Sequence, residues 1–443
     1  MGRRRNRRPP AEPFLAEIED LAHDGRGVAR IDGKTVFVEG ALPGERVEAR
    51  YLFTRRSYDV AETVRVLEPS PERVEPRCPH FGYCGGCALQ HLAPERQIVH
   101  KEKILRENLR RIGGVEPERW LPPLTGPVWG YRRKARLAVR DVPKKGRVLV
   151  GFRERHKPWV ADMEVCPVLH PAVGDRLLDL SELIGGLRAR DRIAQIEVAV
   201  ADDATALAFR HLDPLAEPDL ERLTCWGRER GIHVWLQPGG PATLHPLWPA
   251  DSRLHYLLPE WDLRLRFEPS DFTQVNFDIN RAMVARALEL LELDGGERVL
   301  DLFCGIGNFT LPLARGASEV VGVEGAEELI LKARANAEEN GVRNVSFHVA
   351  DLSGEAARQA PWALRRWDRV LLDPPRSGAL EILGVVAAAR PGRIVYVACH
   401  PGSLARDAGE LVRTHGYRLE AAGVMDMFPH TAHVESIALF VRA

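Results

Sequence analysis

The sequence predicts a multidomain α/β chain: a small OB-like β-barrel, a central α+β domain carrying a cysteine cluster, and a C-terminal Rossmann-like domain on a mainly parallel sheet. Three observations predict it. Residues 14–67 alternate apolar and polar side chains in short runs separated by turn residues. Three cysteines, Cys78, Cys84 and Cys87, stand close together just after that stretch. From Arg281 onward, helical patterns alternate with apolar strands that end in an acid or a cysteine. The length of 443 residues agrees with roughly three domains at about 150 residues each. A content of 45% hydrophobic and 28% charged residues excludes a disordered, collagen-like or disulfide-scaffold chain. The expected divisions are a basic tail over 1–13, the barrel over 14–70, the central domain over 71–262 and the C-terminal domain over 263–443.

The tail carries Arg3, Arg4, Arg5, Arg7 and Arg8 and runs into Pro9 and Pro10 without an apolar signal core. No apolar run approaches the roughly 20 residues of a membrane span, so a cytoplasmic protein without a membrane partner is expected. In the barrel, Asp32-Gly33 reads as a hairpin turn and Leu42-Pro43-Gly44 as the next connection. Pro71 to Pro76 reads as a linker. A helix is expected over 93–113, packing on the C-terminal domain and stopped by Gly113-Gly114. Further on, Ala135–Val139 and Ile196–Val200 read as strands. Lys and Arg total 62, as do Asp and Glu, so overall charge predicts no nucleic-acid binding. Between Tyr131 and Lys157, however, basic residues crowd around only two acids, Asp141 and Glu154. That run could meet phosphates or be an ordinary solvated face.

Seven cysteines without a secretion signal point to metal ligation or catalysis. The run Cys78-Pro-His-Phe-Gly-Tyr-Cys84-Gly-Gly-Cys87 brings three thiolates together, with Cys166 a distant fourth candidate. Four thiolates suit an iron–sulfur cluster or structural zinc, and spacing does not separate the two. Cys225 matches no pattern and is expected in a core.

Arg298 to Thr310 reads as a buried strand, a Gly305-x-Gly307 turn and a helix start, the place where a doubly wound sheet binds a nucleotide-like cofactor. Thr310 stands where a dinucleotide fingerprint needs glycine, and Asp301 favours a positively charged ligand over a pyrophosphate. Val320 to Glu324 ends in an acid placed for ribose hydroxyls, and His348 to Asp351 in one placed near an adenine. The ordered series points to S-adenosylmethionine. Two more strands end at Asp373-Pro374-Pro375-Arg376 and at Cys399-His400-Pro401, both in the crevice of the sheet. There Cys399 is a candidate nucleophile, and Glu435, in a polar loop entering the last strand, a candidate base. A thiolate adding to C6 of uracil would make C5 nucleophilic toward a sulfonium methyl, and a base would then remove the C5 proton. An RNA base must leave its stack for this, hence the additional RNA-binding domains.

These residues resemble the RNA 5-methyluridine methyltransferase family, iron–sulfur enzymes acting on rRNA or tRNA, over nearly the whole chain. The resemblance implies that 14–67 is a TRAM barrel and that Cys78, Cys84, Cys87 and Cys166 hold a [4Fe-4S] cluster. It implies that the C-terminal domain is a class I S-adenosylmethionine-dependent methyltransferase. Phe272-Thr-Gln274-Val-Asn276 is similar to a family motif in which the Gln contacts cofactor and target base. The resemblance further assigns Phe303, Asn308, Glu324, Asp351 and Asp373 to the cofactor site, Cys399 to the nucleophile and Glu435 to the base. Ala398 and His400 depart from the usual Ser-Cys-Asn-Pro, and His400 is expected to lower the pKa of the neighbouring thiol. Large ribosomal RNA is the first expected substrate and tRNA the second, for an enzyme working as a monomer. A 5-methylcytidine enzyme would carry a second cysteine at Arg376. A catalytically idle iron–sulfur RNA-binding protein would not require Gln274, Asp373, Cys399 and Glu435 together.

Overall fold

The computed structural model describes residues 12–442, so the expected tail lies outside the described residues as far as residue 11. The chain forms two compact units. The first joins residues 12–101 with Arg153–Trp159 and Phe428–His433. It contains β1 (Phe14–Glu17), β2 (Asp20–Leu21), β3 (Gly27–Ile31), β4 (Lys34–Glu39), β5 (Arg46–Thr54) and β6 (Tyr58–Glu68), in the sheet order β1-β5-β6-β4-β3-β2. Asp32 (φ 50°) and Gly33 (φ 78°) turn β3 into β4. Both lie in the left-handed region, as the two-residue hairpin turn between twisted strands requires. Three register shifts along the β5–β6 ladder mark bulges that bend the sheet. The inward side chains, among them Ile18, Val36, Val38 and Val47, form a small apolar core.

The segment 71–76 is no free linker. Arg73 pairs with the fully buried carboxylate of Glu45 at 2.5 Å and donates to Gly40 O at 2.7 Å. Burial alone would raise the Glu45 carboxyl, but hydrogen bonds from Arg73, Leu42 and Ser70 outweigh it and hold the group below the usual carboxylate range. The Phe428–His433 segment, read from sequence as a polar loop, is also largely buried. His430 O accepts from the Ala88 and Leu89 amides, and Gln97 accepts from His430 N–H.

Helix α1 (Pro94–Asn108) runs into a five-residue π-turn, Leu109–Gly113, and Gly114 closes it at φ 62°. The second unit continues with β7 (Arg119–Trp120), β8 (Lys134–Val142), β9 (Arg147–Gly151), α2 (Pro171–Gly174), α3 (Leu177–Gly185), β10 (Ile193–Val200), β11 (Thr205–His211), α4 (Glu217–Arg230), β12 (Ile232–Gln237) and β13 (His245–Trp248). These build a sheet ordered β13-β12-β11-β10-β8-β9, next to the hairpin β14 (Leu254–Leu258) and β15 (Leu263–Phe267). Cys225, expected in a core, is exposed on α4.

Part of the basic run around β8 is paired to acids from outside the run. Arg133 meets Asp202 at 3.4 Å, Arg136 meets Glu197 at 2.6 Å, and Lys145 and Arg147 share Asp162. Arg140 and Lys144 remain exposed.

The remaining elements are α5 (Phe277–Leu291), β16 (Arg298–Leu302), α6 (Thr310–Gly316), β17 (Glu319–Glu324), α7 (Glu327–Glu339), β18 (Val345–Val349), α8 (Glu355–Arg358), β19 (Arg369–Leu372), α9 (Leu383–Ala388), β20 (Arg393–Ala398), α10 (Pro401–Arg413), β21 (Tyr417–Met425) and β22 (Glu435–Arg442). Helix α5 starts four residues before Arg281, where the periodicity becomes visible, because Asn276 caps it by accepting the Ile279 amide at 3.3 Å. The sheet order is β18-β17-β16-β19-β20-β22-β21-β7. Strands β16 to β20 pair in parallel, and β22 returns antiparallel to β20. Their near-continuous burial explains why they read as apolar runs rather than alternating ones. The order reverses between β16 and β19, which opens a crevice at the carboxyl ends of the strands.

Candidate active site

Candidate residues lie at the ends of six strands, β16 to β20 and β22. Leu302 of β16 is in register with Leu372 of β19, and Leu372 with Tyr396 of β20. Phe303, Asp373 and Cys399 therefore follow at the same edge of the sheet. Because β22 runs the other way, its first residues meet that edge. Ala398 pairs with Ser436, which sets Glu435 across from Cys399. The parallel strands and the antiparallel return of β22 thus bring to one edge groups as distant in sequence as Phe303 and Glu435.

Cys399 is half-buried and Glu435 is 7% exposed. Burial pushes the Cys399 thiol up to about 11; the Glu435 and Asp373 carboxylates add to the shift and Arg376 opposes it. This is opposite in direction to the effect expected of His400. The His400 ring accepts the Ser403 amide at 3.1 Å through Nδ1, capping α10. Asp373 is pushed up to about 7 by burial, so it can both donate and accept a hydrogen bond near neutrality.

At the first strand end, Phe303 adopts φ 66°, an uncommon conformation for a bulky side chain, and Gly305 and Gly307 follow at 53° and 98°. Glu324 Oε2 accepts the Gly305 amide at 3.2 Å, and Oε1 accepts the Gly325 amide at 2.8 Å, so this carboxylate shapes the glycine turn. The Asn308 amide is committed to structure. It exchanges two 3.0 Å hydrogen bonds with Asn280 and accepts from Tyr256 Oη at 3.0 Å. Asp351 is exposed, and hydrogen bonds from the Ser353 hydroxyl and amide hold its carboxyl below the usual range. Gln274 is half-buried in the turn before α5, beside the exposed Phe272.

Sequence reading missed the supports of that turn. Lys332 of α7 bridges Glu268 at 2.8 Å and Asp271 at 2.6 Å, and the half-buried Lys134, pushed down to about 8 by desolvation, donates to Pro269 O. Neither lysine has a local signal. Asn280, four residues from Asn276 on the same helix face, could have been found.

A family model described as tRNA (Uracil-5-)-methyltransferase matches residues 258–443, and a TRAM domain model matches residues 12–61. The 23S rRNA (uracil(1939)-C(5))-methyltransferase RlmD of Alkalilimnicola ehrlichii is 62% identical over 443 residues, covering 100% of this chain and 99% of the relative. The chain belongs to the RNA uracil-C5 methyltransferase family. The RlmD protein of Methylococcus capsulatus is 55% identical, with both chains covered at 100%. The crystal structure of Pyrococcus abyssi tRNA (uracil-54, C5)-methyltransferase in complex with S-adenosyl-L-homocysteine is similar at 26% identity and a TM-score of 0.74, covering 97% of this chain and 100% of that one.

A uracil-C5 methyltransferase implies S-adenosylmethionine, and the residues at the first strand end fit it. Asp301 is wholly buried with Thr310 Oγ1 donating to Oδ2 at 2.5 Å, while Oδ1 has no hydrogen-bond partner among the described residues. Burial pushes this carboxyl up to about 8, an uncompensated position that a nearby cation would relieve. Asp301 is thus buried near the end of β16 and tied to the start of α6 through Thr310.

For an iron–sulfur cluster the donor chemistry of the cysteine run is suitable. Cys78 and Cys84 are buried and Cys87 half-buried, all in the first unit, whereas Cys166 is buried in the second. Cys84 Sγ accepts the Gly86 amide at 3.4 Å. Among the described residues, no group of three or more His, Cys, Asp or Glu side chains is gathered closely enough to hold a metal ion. The metal reading therefore stands on the softness and spacing of the donors. No helix is long and apolar enough to cross a membrane among the described residues.

Proposed function

We propose that this chain is an S-adenosylmethionine-dependent RNA uracil-C5 methyltransferase forming 5-methyluridine in 23S rRNA, through a covalent adduct of Cys399 with C6 of the target uracil. The observation that carries the mechanism is the register of β20 and β22, with Cys399 across from Glu435 and Asp373 at the neighbouring strand end. S-adenosylmethionine, when bound, supplies an electrophilic methyl group. Gln274, Phe303, Glu324 and Asp351 form its site, and Asn308, tied to Asn280 and Tyr256, braces it. Gln274 and Asp373 hold the uracil edge, where an Asp373 carboxyl titrating near 7 can serve a donor or an acceptor. The Cys399 thiol gives up its proton to solvent, and the thiolate bonds to C6 and moves the C5–C6 electron pair toward O4, so that C5 can take the methyl. Glu435 then removes the C5 proton, and that electron pair restores the double bond and expels the Cys399 sulfur.

The enzyme works as a cytoplasmic monomer, and a [4Fe-4S] cluster is held by Cys78, Cys84 and Cys87 with Cys166 as the fourth thiolate. The central region is on this reading an iron–sulfur, RNA-binding domain extending over 71–262, between the barrel at 14–70 and the catalytic domain at 263–443. The cluster shapes that domain and takes no part in methyl transfer. Protein prepared without oxygen should contain about four iron and four sulfide per chain. Stoichiometric zinc, or no metal at all, would sink the cluster.

A second reading is tRNA as substrate, favoured by the tRNA enzymes named in the family model and in the Pyrococcus abyssi structure. Methyl transfer from labelled S-adenosylmethionine to unmodified rRNA and tRNA, with nucleoside analysis, separates the two. Label appearing as 5-methyluridine in rRNA alone, and lost with Cys399→Ala, is expected. Label in tRNA alone would reverse the substrate, and label in another nucleoside would overturn the chemistry.

A further inference from the structure

Behind the reacting groups, three segments of the catalytic sheet converge on one buried carboxylate. Asp407, in the second turn of α10, is wholly buried. Its Oδ2 accepts from the Tyr396 hydroxyl at 2.7 Å and from the Ala379 amide at 2.7 Å, and Oδ1 accepts from Arg406 Nε at 2.8 Å. The Ala379 amide is shared, since it also reaches Tyr396 Oη at 3.0 Å. Arg406 Nη2 donates to Ser377 O at 2.7 Å. Gly378 lies between, at φ 87°, and a Cβ there would stand 2.6 Å from Asp407 Oδ2 and 3.1 Å from Ser403 Cβ.

The connections matter more than the count of bonds. Tyr396 lies on β20 three residues before Cys399, α10 begins two residues after it, and Ser377 to Ala379 end the turn that starts at Asp373 and includes Arg376. A buried carboxylate is weak evidence for stability, because apolar residues of similar volume often serve as well or better. What a fully bonded network provides is one defined geometry among the segments that it joins. The Asp373 turn leaves β19 without regular structure until Leu380, so it needs an external anchor.

We propose that Asp407, acting with Tyr396, is a positioning residue for methyl transfer: it anchors the Asp373–Ala379 turn to the strand and helix on either side of the nucleophile. This rests on the reading of Cys399 as that nucleophile. The network sets the distance between the sulfur and the groups that hold the uracil, and touches neither substrate nor cofactor. A displacement of about an ångström there costs rate rather than affinity.

The test uses the full-length enzyme and its RNA substrate, with Asp407→Asn, which keeps the volume, and Tyr396→Phe, which removes one oxygen. Single-turnover methyl transfer should slow about 10- to 100-fold in both. Affinities for S-adenosylhomocysteine and for RNA should stay within about twofold of wild type. Formation of the covalent adduct with RNA carrying 5-fluorouridine at the target should slow in parallel, a readout that general loosening would not separate from binding. Rates within about twofold of wild type in folded protein would overturn the proposal, as would a rate loss matched by lost affinity. If Asp407→Asn does not fold, Tyr396→Phe decides on the same criteria. Cys399→Ala serves as the control: if it still methylates, the nucleophile reading itself fails, whatever the clamp variants do.

Discussion

Cys399 illustrates how position creates chemistry that residue type does not. Its thiol is pushed up to about 11 by burial, with Glu435 and Asp373 adding to the shift. Glu435→Gln removes one of the charges that raise it. Alkylation of Cys399 at fixed mildly alkaline pH should therefore be faster in that variant, while methylation turnover falls by about 10²- to 10⁴-fold. Equal alkylation rates would show that Glu435 does not act on the thiol. Asp301 makes a second residue-level prediction. Its carboxyl rises from 3.8 to about 8 on folding, so the folded state holds a proton that the unfolded state releases above about pH 4. Stability from this group is complete below pH 4 and is lost as pH rises through about 8. Asp301→Asn should flatten the fall in Tm between pH 5 and pH 8. Asp373, raised in the same direction, leaves a smaller slope behind. An unchanged slope in Asp301→Asn would refute the assignment.

Among the elements, β17 shows why a cofactor strand has little freedom. Gly322 sits in its middle, and a Cβ there would stand 2.8 Å from the Phe347 ring of β18 and 3.0 Å from Cys304 Sγ. The glycine lets the strand lie close to the glycine turn that Glu324 shapes two residues later. Gly322→Ala should cost about 1–3 kcal/mol through overpacking, read as a lower urea midpoint at unchanged slope. No loss of stability would mean that Phe347 simply rotates away. Element identity was legible in the sequence wherever period and punctuation agreed, as at Asp32-Gly33 and in the buried strand from Arg298. It failed where a cap lay outside the period: Asn276 starts α5 earlier than its apolar pattern suggests. The supposed linker at 71–76 failed for a different reason, since Arg73 is held by Glu45, which no local rule connects to it.

For the whole molecule, charge is the instructive quantity. Basic and acidic residues balance at 62 each, and Arg133, Arg136, Lys145 and Arg147 of the basic run around β8 are paired to acids from outside it. Arg140 and Lys144 are exposed and available. Replacing either by Gln should reduce the slope of log affinity for RNA against log salt by about 0.7–0.9, the release of one counterion. An unchanged slope would place the RNA elsewhere.

The sequence by itself determined the strands and the glycine turn, because hydrophobic period, turn residues and strand-end chemistry are local properties. It also marked Cys399, Glu435 and Asp373 as the residues to watch, and Gln274 through the family resemblance alone. Only the tertiary structure decided how they act together. The antiparallel return of β22 sets Glu435 across from Cys399, the commitment of Asn308 to Asn280 and Tyr256 makes it a brace, and the burial of Asp301, Asp373 and Cys399 moves their proton affinities. These follow from the distances and dielectric surroundings that folding creates between residues far apart in the chain, and no local pattern encodes them.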